Sequence, residues 1–237
     1  MHDPSASRGR GQPAPGPRQF RSPVNAGLAG TGRVADDLYL MAHHDLTGKP
    51  LLQPRPLGLG LAGGLLAELM LGGSIGLRYD GAMLASRSWP ADDLARRVRD
   101  QIAAELVPRP LTEWLAYLAR TAAPDVAARL ERAGYLTRVR DWVPWRPGRL
   151  IPADPDWAFG PLLRVRSALD RSRRFDPREA VLTGLAVACG LRYRLDQYTA
   201  PAGRSIEEAT GYLGAGPREL IARTQAAVDS ALLSHRT

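Results

Sequence analysis

Cysteine is nearly missing from this 237-residue chain, where Cys189 stands alone. One thiol excludes an intrachain disulfide and any zinc site built on cysteines, and it suits a reducing compartment. Lysine is as scarce: Lys49 is the only one, so all other fixed positive charge is arginine. A GC-rich gene imposes that bias on its codons, so arginine for lysine is no sign of bidentate recognition by itself. The N-terminal stretch MHDPSASRGRGQPAPGPRQFRSPVNAG has no apolar core segment, which excludes a signal peptide in it. No Walker loop, nucleophile elbow or zinc signature occurs. The expectation is therefore a cytoplasmic protein that is not an enzyme and needs no cofactor.

Two things are abundant. Apolar residues make up 44% of the chain, enough to bury a real core. Positive charge exceeds negative by 8, with an isoelectric point near 10.3. An excess of that size points to a polyanionic partner: an anionic membrane surface, nucleic acid or an acidic protein.

Residues 1–32 are rich in Pro, Gly, Ser and Arg and lack apolar periodicity. They read as a disordered basic arm, ahead of one helical domain over residues 33–237. Val34, Leu38 and Met41 open that domain at helical spacing, with Asp36 and Asp37 in the first turn, where the helix dipole favours acids. Two short strands, residues 75–79 and 83–87, flank Asp80-Gly81, read as a two-residue hairpin turn. Helices are expected over residues 92–106, 111–119, 125–133, 160–172, 177–190, 205–213 and 217–233. Between the third and fourth of these, residues 134–154 read as a second hairpin turning at Pro147-Gly148. The fold class is mainly α: a single helical domain with central core helices ringed by others, plus two small β-hairpins.

GLGLAGG, residues 58–64, fits the dinucleotide-loop pattern, and Asp80 follows about 20 residues on. That motif needs a strand before its first glycine, and Pro54 and Pro56 cannot sit in a central strand. The surrounding run from Leu57 to Leu77 is nearly long enough to cross a bilayer, but Glu68 lies near its middle. A charge there costs at least about 2.5 kcal/mol. Leu57, Leu61, Leu65 and Leu69 recur at every fourth position, with Leu66 and Met70 beside them. The reading is a central core helix, apolar nearly all round and ended by Gly72-Gly73.

Four features could carry function. Arg138, Arg140, Arg146 and Arg149 interleave with Trp142 and Trp145 in the second hairpin. Trp prefers the membrane–water interface and Arg meets phosphate, so the hairpin suits an anionic bilayer surface; self-association or packing on its own domain are the alternatives. DVAARLERAGYL ahead of that hairpin could form a winged helix, with Arg129 and Arg132 facing DNA. His43 and His44 at the end of the first helix point to different sides, so they share no ligand face and are placed by the dipole. RVRSALDRSRRFD carries Arg164, Arg166, Arg171, Arg173 and Arg174, either as a solvated face or as a second phosphate-facing patch.

The segments DDLYLMAHHDLTGKP, GLAGGLLAELMLGGSIGL, RLERAGYL and RVRSALDRSRRFDPREAVLTGLAVACGL, in that order, resemble the Golgi phosphoprotein 3 family over about residues 34–233. The resemblance implies a helical domain with central helices, a protruding hairpin, and peripheral attachment to a membrane. It implies recognition of phosphatidylinositol 4-phosphate through one Trp and three Arg. The Trp position is Gln53, and the Arg positions are Ala62, Arg120 and Ala123, so Arg120 alone matches. The expected lipid-binding residues are therefore Arg120, Arg138, Arg140, Trp142, Trp145 and Arg146. The expected partner is an anionic phospholipid surface on the cytoplasmic side of a membrane, with the hairpin also available for homo-oligomer contacts. The alternative is a winged-helix DNA-binding protein.

Overall fold

In a computed structural model of the chain, residues 30–139, 148–170, 175–196 and 205–234 are described. The first helix, α1 (Val34–Met41), carries Asp36 and Asp37 in its first turn, yet all eight of its residues are buried. The dipole argument explains why acids are tolerated there. Their burial has another cause, given below.

Helix α2 (Pro54–Leu71) is the axis of the domain. Pro54 and Pro56 fall in its first turn, where a missing N–H costs nothing and the fixed φ suits the helix. Among the described residues no strand precedes Gly58, which lies inside the helix itself, so the glycines do not form a dinucleotide loop. They are seats for neighbours. A Cβ on Gly58 would run into the carbonyl oxygen of Ala119, and one on Gly64 would lie 2.8 Å from Ala35 Cα. Gly60 faces Cys189 Sγ, and Gly63 faces Thr224 and Leu185. Four other parts of the chain thus press against one helix. No helix among the described residues is long and apolar enough to cross a membrane.

The hairpin β1 (Ile75–Leu77) and β2 (Met83–Ala85) pairs Ile75 with Ala85 and Leu77 with Met83. That register centres the loop on Asp80, not between Asp80 and Gly81. Gly81 N–H donates to the Arg78 carbonyl at 3.0 Å, and Gly81 has φ +80°. The loop is therefore the three-residue Tyr79-Asp80-Gly81 type with a left-handed glycine, and the two-residue expectation is corrected by one residue.

Next come α3 (Asp93–Ala104), α4 (Leu111–Leu118) and α5 (Ala122–Arg132). Gly134, at φ +81°, ends α5, and Tyr135 N–H closes on the Leu130 carbonyl at 2.9 Å. The second hairpin, β3 (Leu136–Val139) with β4 (Arg149–Pro152), pairs Leu136 with Pro152 and Val139 with Arg149. Its residues 140–147 lie outside the described part.

Helix α6 (Pro155–Leu169) begins five residues before the expected start. Asp154 caps it by accepting from Asp156 N–H, and Pro155 is its first residue, while Pro161 sits inside without ending it. Helix α7 (Pro177–Ala188) opens with a capping box of Asp176 and Glu179. The short α8 (Arg192–Asp196) was not expected; α9 (Ile206–Gly211) and α10 (Ala215–Leu233) complete the chain. Helices α1, α3, α4, α5, α7 and α10 all contact α2. The fold is mainly α with two small hairpins.

Candidate anion-binding site

Helix α5 organises the candidate residues. Arg120 lies just before it, Arg129 within it, and the basic hairpin just after it. Eleven residues at 1.5 Å each place the two ends about 16 Å apart.

The last turn of α5 is held by a buried ion cluster. Arg129 is 3% exposed. Its Nε donates to Asp36 Oδ1 at 2.8 Å and its Nη2 lies 2.7 Å from the same oxygen. Its Nη1 reaches Glu68 Oε2 at 3.1 Å and Asp92 Oδ2 at 2.9 Å. Glu68 Oε1 also accepts from Ala35 N–H at 2.8 Å, and Asp92 Oδ2 caps α3 by accepting from Ala95 N–H at 2.9 Å. One guanidinium thus ties α5 to α1, α2 and the start of α3. Arg33, part-exposed at the rim, adds a second guanidinium 3.4 Å from Asp92.

Three carboxylates outnumber the buried cation, and their proton affinities show it. Burial pushes Asp36 up to about 7, with the Glu68 charge adding to this and Arg129 opposing it. Burial also raises Glu68 against the pull of Arg129. Asp92 is half-open; burial would raise it, but the Ala95 N–H and Arg129 together win and hold it low. Arg129 itself is held firmly charged: burial opposes this, and Glu68 and Asp36 override it.

Sequence reasoning missed this cluster. Arg129 was read as a DNA-facing residue, and its burial corrects that: of the pair, only Arg132 is exposed on α5. The signal was Glu68, since a carboxylate inside an apolar helix must find a cation.

The outer end is different in kind. Arg120 is exposed and has no ion-pair partner among the described residues. It borders a cleft of about 170 Å³ walled by Leu65, Leu94, Tyr117 and Thr121, across which Arg97 pairs with Asp125 at 3.6 Å. Thr121, the N-cap of α5, makes no side-chain cap bond, and Pro124 in the first turn has no N–H. The free N–H groups of Ala122 and Ala123 therefore add positive potential beside Arg120. The contact of Gly58 with Ala119 brings the first half of α2 to the same junction.

The hairpin end is partly neutralised. Arg138 Nη2 and Nε hold both Glu131 oxygens at 2.7 and 3.0 Å, and its Nη1 reaches the Gly148 carbonyl at 3.2 Å. The hydrogen bond from Arg138 holds the Glu131 carboxyl below its ordinary range. Arg140, Trp142, Trp145 and Arg146 lie outside the described residues. Val139, at the end of the described stem, is exposed.

Two other groups resolve into structural roles. His43 is buried, stacked on Tyr39 at 3.9 Å with its Nδ1 2.7 Å from the Tyr39 carbonyl, and burial lowers its pKa. A neutral ring packed in the core replaces the dipole-held cation expected there. Arg164 is not part of a solvated face: it pairs with buried Asp37 and lies 3.4 Å from Glu179. Arg171, Arg173 and Arg174 lie outside the described residues.

The Golgi phosphoprotein 3 (GPP34) family model matches residues 34–225. The chain belongs to the Golgi phosphoprotein 3 family. The match begins at the first residue of α1 and ends inside α10, so it takes in the ion cluster, the Arg120 cleft and the hairpin of this family member. No curated protein matches the chain. Of the positions carried over from the family resemblance, Gln53 is the exposed N-cap of α2, Arg120 precedes α5, and Ala123 lies in the first turn of α5. Ala62 is fully buried on α2, so a headgroup does not meet its side chain.

Proposed function

We propose that this Golgi phosphoprotein 3 family member is a peripheral membrane protein that binds anionic phospholipid headgroups, rather than an enzyme. The observation that carries the reading is Arg120: an exposed, uncompensated guanidinium beside an uncapped helix N-terminus, at the family's pocket. Phosphate is the natural occupant of such a place, because N–H dipoles and a fork of guanidinium donors converge on it. The segment of sequence between β3 and β4, with Arg140, Arg146, Trp142 and Trp145, is a second contact, adding charge attraction and interfacial insertion. A phosphoinositide is one candidate headgroup, though with Gln53, Ala62 and Ala123 in place of Trp and two Arg the site has fewer ways to read it. The attachment is to the cytoplasmic leaflet, and the same hairpin is available for contact between copies. Flotation with neutral and anionic vesicles tests the reading. Binding that requires anionic lipid supports it; binding to duplex DNA without vesicle binding would replace it with the winged-helix alternative.

A further inference from the structure

The Arg120 cleft holds a second arginine and an acid. Arg97 on α3 and Arg120 ahead of α5 line the same space, together with Asp125 in the first turn of α5. Asp125 is the one acid among the residues that line it. Arg97 meets Asp125 at 3.6 Å, longer than a hydrogen bond, and both side chains are partly exposed. A guanidinium carries five N–H donors, so this single loose contact leaves most of Arg97 able to meet another oxygen. Leu65, Leu94, Val98 and Leu118 supply the apolar part of the wall.

Size and charge set what such a cleft takes. At about 170 Å³ it is smaller than the roughly 300–1,000 Å³ that encloses a small molecule, so it suits a phosphate group and not a whole headgroup. Two guanidiniums and one carboxylate leave a single positive charge. A phosphodiester carries one negative charge and neutralises it. A phosphomonoester near pH 8 carries a second charge, because its second proton leaves at about pH 6. That second charge meets the Asp125 carboxylate beside apolar walls, where repulsion is screened less than in open water. A like charge placed in a site rejects the wrong ligand as effectively as a new contact selects the right one.

We infer that Asp125 makes this cleft selective for the singly charged phosphodiester of a phospholipid over a terminal phosphomonoester, with Arg97 and Arg120 as its two cations. This rests on the headgroup reading above and narrows it. Phosphatidylglycerol is accepted; phosphatidic acid, whose phosphate is a monoester, gains nothing from its extra charge. A protein drawn to a membrane by surface charge alone behaves in the opposite way and binds the more highly charged phosphatidic acid surface more tightly.

The test is flotation of the full chain, near pH 8 and at physiological salt, with phosphatidylcholine vesicles containing equal fractions of phosphatidylglycerol or phosphatidic acid. Wild type should bind the phosphatidic acid vesicles no more tightly than the phosphatidylglycerol ones. Asp125→Asn keeps the shape and removes the charge; it should raise the ratio of phosphatidic acid to phosphatidylglycerol affinity about fivefold, the upper end for an exposed charge pair. Glu219→Gln removes a similarly exposed acid, paired with Arg223 on α10, and should leave that ratio as it was. Arg97→Gln should weaken phosphatidylglycerol binding about fivefold. A wild-type preference for phosphatidic acid overturns the inference without touching the headgroup reading, and this arm needs no variant to fold. An unchanged ratio in Asp125→Asn, an equal rise in Glu219→Gln, or unchanged phosphatidylglycerol binding in Arg97→Gln overturns it as well. Failure of wild type to bind either vesicle, with or without capture of duplex DNA, overturns the headgroup reading and takes this inference with it.

Discussion

Arg129 and Asp36 lie 93 residues apart in the chain and meet in the core through contacts of 2.8 and 2.7 Å, both on one carboxylate oxygen. The pair is the centre of a cluster that also holds Glu68 and Asp92, and it fixes where α5 lies. Breaking it should therefore cost far more than a surface ion pair. Arg129→Met leaves three acids without their buried cation, and a loss of roughly 3–5 kcal/mol is expected in urea unfolding. Adding Asp36→Asn and Glu68→Gln to Arg129→Met should recover part of that loss, because it removes the stranded charge.

The same cluster makes stability depend on pH in an unusual direction. Asp36 takes its proton near 7 in the fold, against 3.8 ordinarily. Its contribution is fully present below about pH 4 and is lost as pH rises through about 7, since the folded state binds the extra proton in between. Glu68, also raised, acts in the same sense. Asp92, held low, acts oppositely but only below its ordinary range. Unfolding free energy should thus fall from about pH 4 to about pH 7, by up to about 1.4 kcal/mol per unit from Asp36, and level off above that. Asp36→Asn should flatten that slope; an unchanged slope would clear Asp36 of it.

Glycine spacing at α2 gives a packing test. A Cβ at Gly64 would sit 2.8 Å from Ala35 Cα, which is backbone and cannot swing away. Gly64→Ala should cost about 1–3 kcal/mol in thermal or urea unfolding. Gly76→Ala on β1 meets nothing within 4 Å and should change stability by no more than about 0.5 kcal/mol.

These tests also mark what the sequence made legible. The leucines repeating every fourth residue were enough to identify α2 as a buried axis, because a period of four on an uncharged face has few other uses. The register of the first hairpin was not legible. Asp-Gly signals a turn, but either a two- or a three-residue loop can hold it, and the choice is made by cross-strand partners. The expected start of α6 at residue 160 falls five residues late: Asp154-Pro155 is the capping signal the structure uses, and Pro161 sits inside the helix. The ion cluster was missed for a deeper reason. Asp36, Glu68 and Arg129 come from three separate helices, and no local pattern reports a meeting of that kind. The free state of Arg120 was equally hidden, since whether an arginine is compensated depends on neighbours far along the chain.

Under the proposed attachment to anionic lipid, the arginines of the hairpin should not contribute equally. Arg138 is engaged by both Glu131 oxygens, so replacing Arg138 and Glu131 together should change vesicle binding little. Replacing Arg140 and Arg146 together should weaken binding by about 2 kcal/mol, near thirtyfold, in a salt-sensitive way. Trp142→Ala and Trp145→Ala should weaken it in a way that added salt does not reproduce, because they remove apolar insertion rather than charge. Flotation at low and physiological salt checks each of these.

The central claim is that Arg120 binds an anionic headgroup by its place and not merely by its charge. Arg87 is a control of equal charge: it is exposed, follows β2, lies at no helix N-terminus and has no ion-pair partner among the described residues. The measurement is flotation of wild type, Arg120→Ala and Arg87→Ala with anionic vesicles at physiological salt. Hydrogen bonds to charged groups are worth roughly 1.5–3 kcal/mol, so Arg120→Ala should lose at least about tenfold in affinity, while Arg87→Ala stays close to wild type. Equal binding by the two variants would contradict the account.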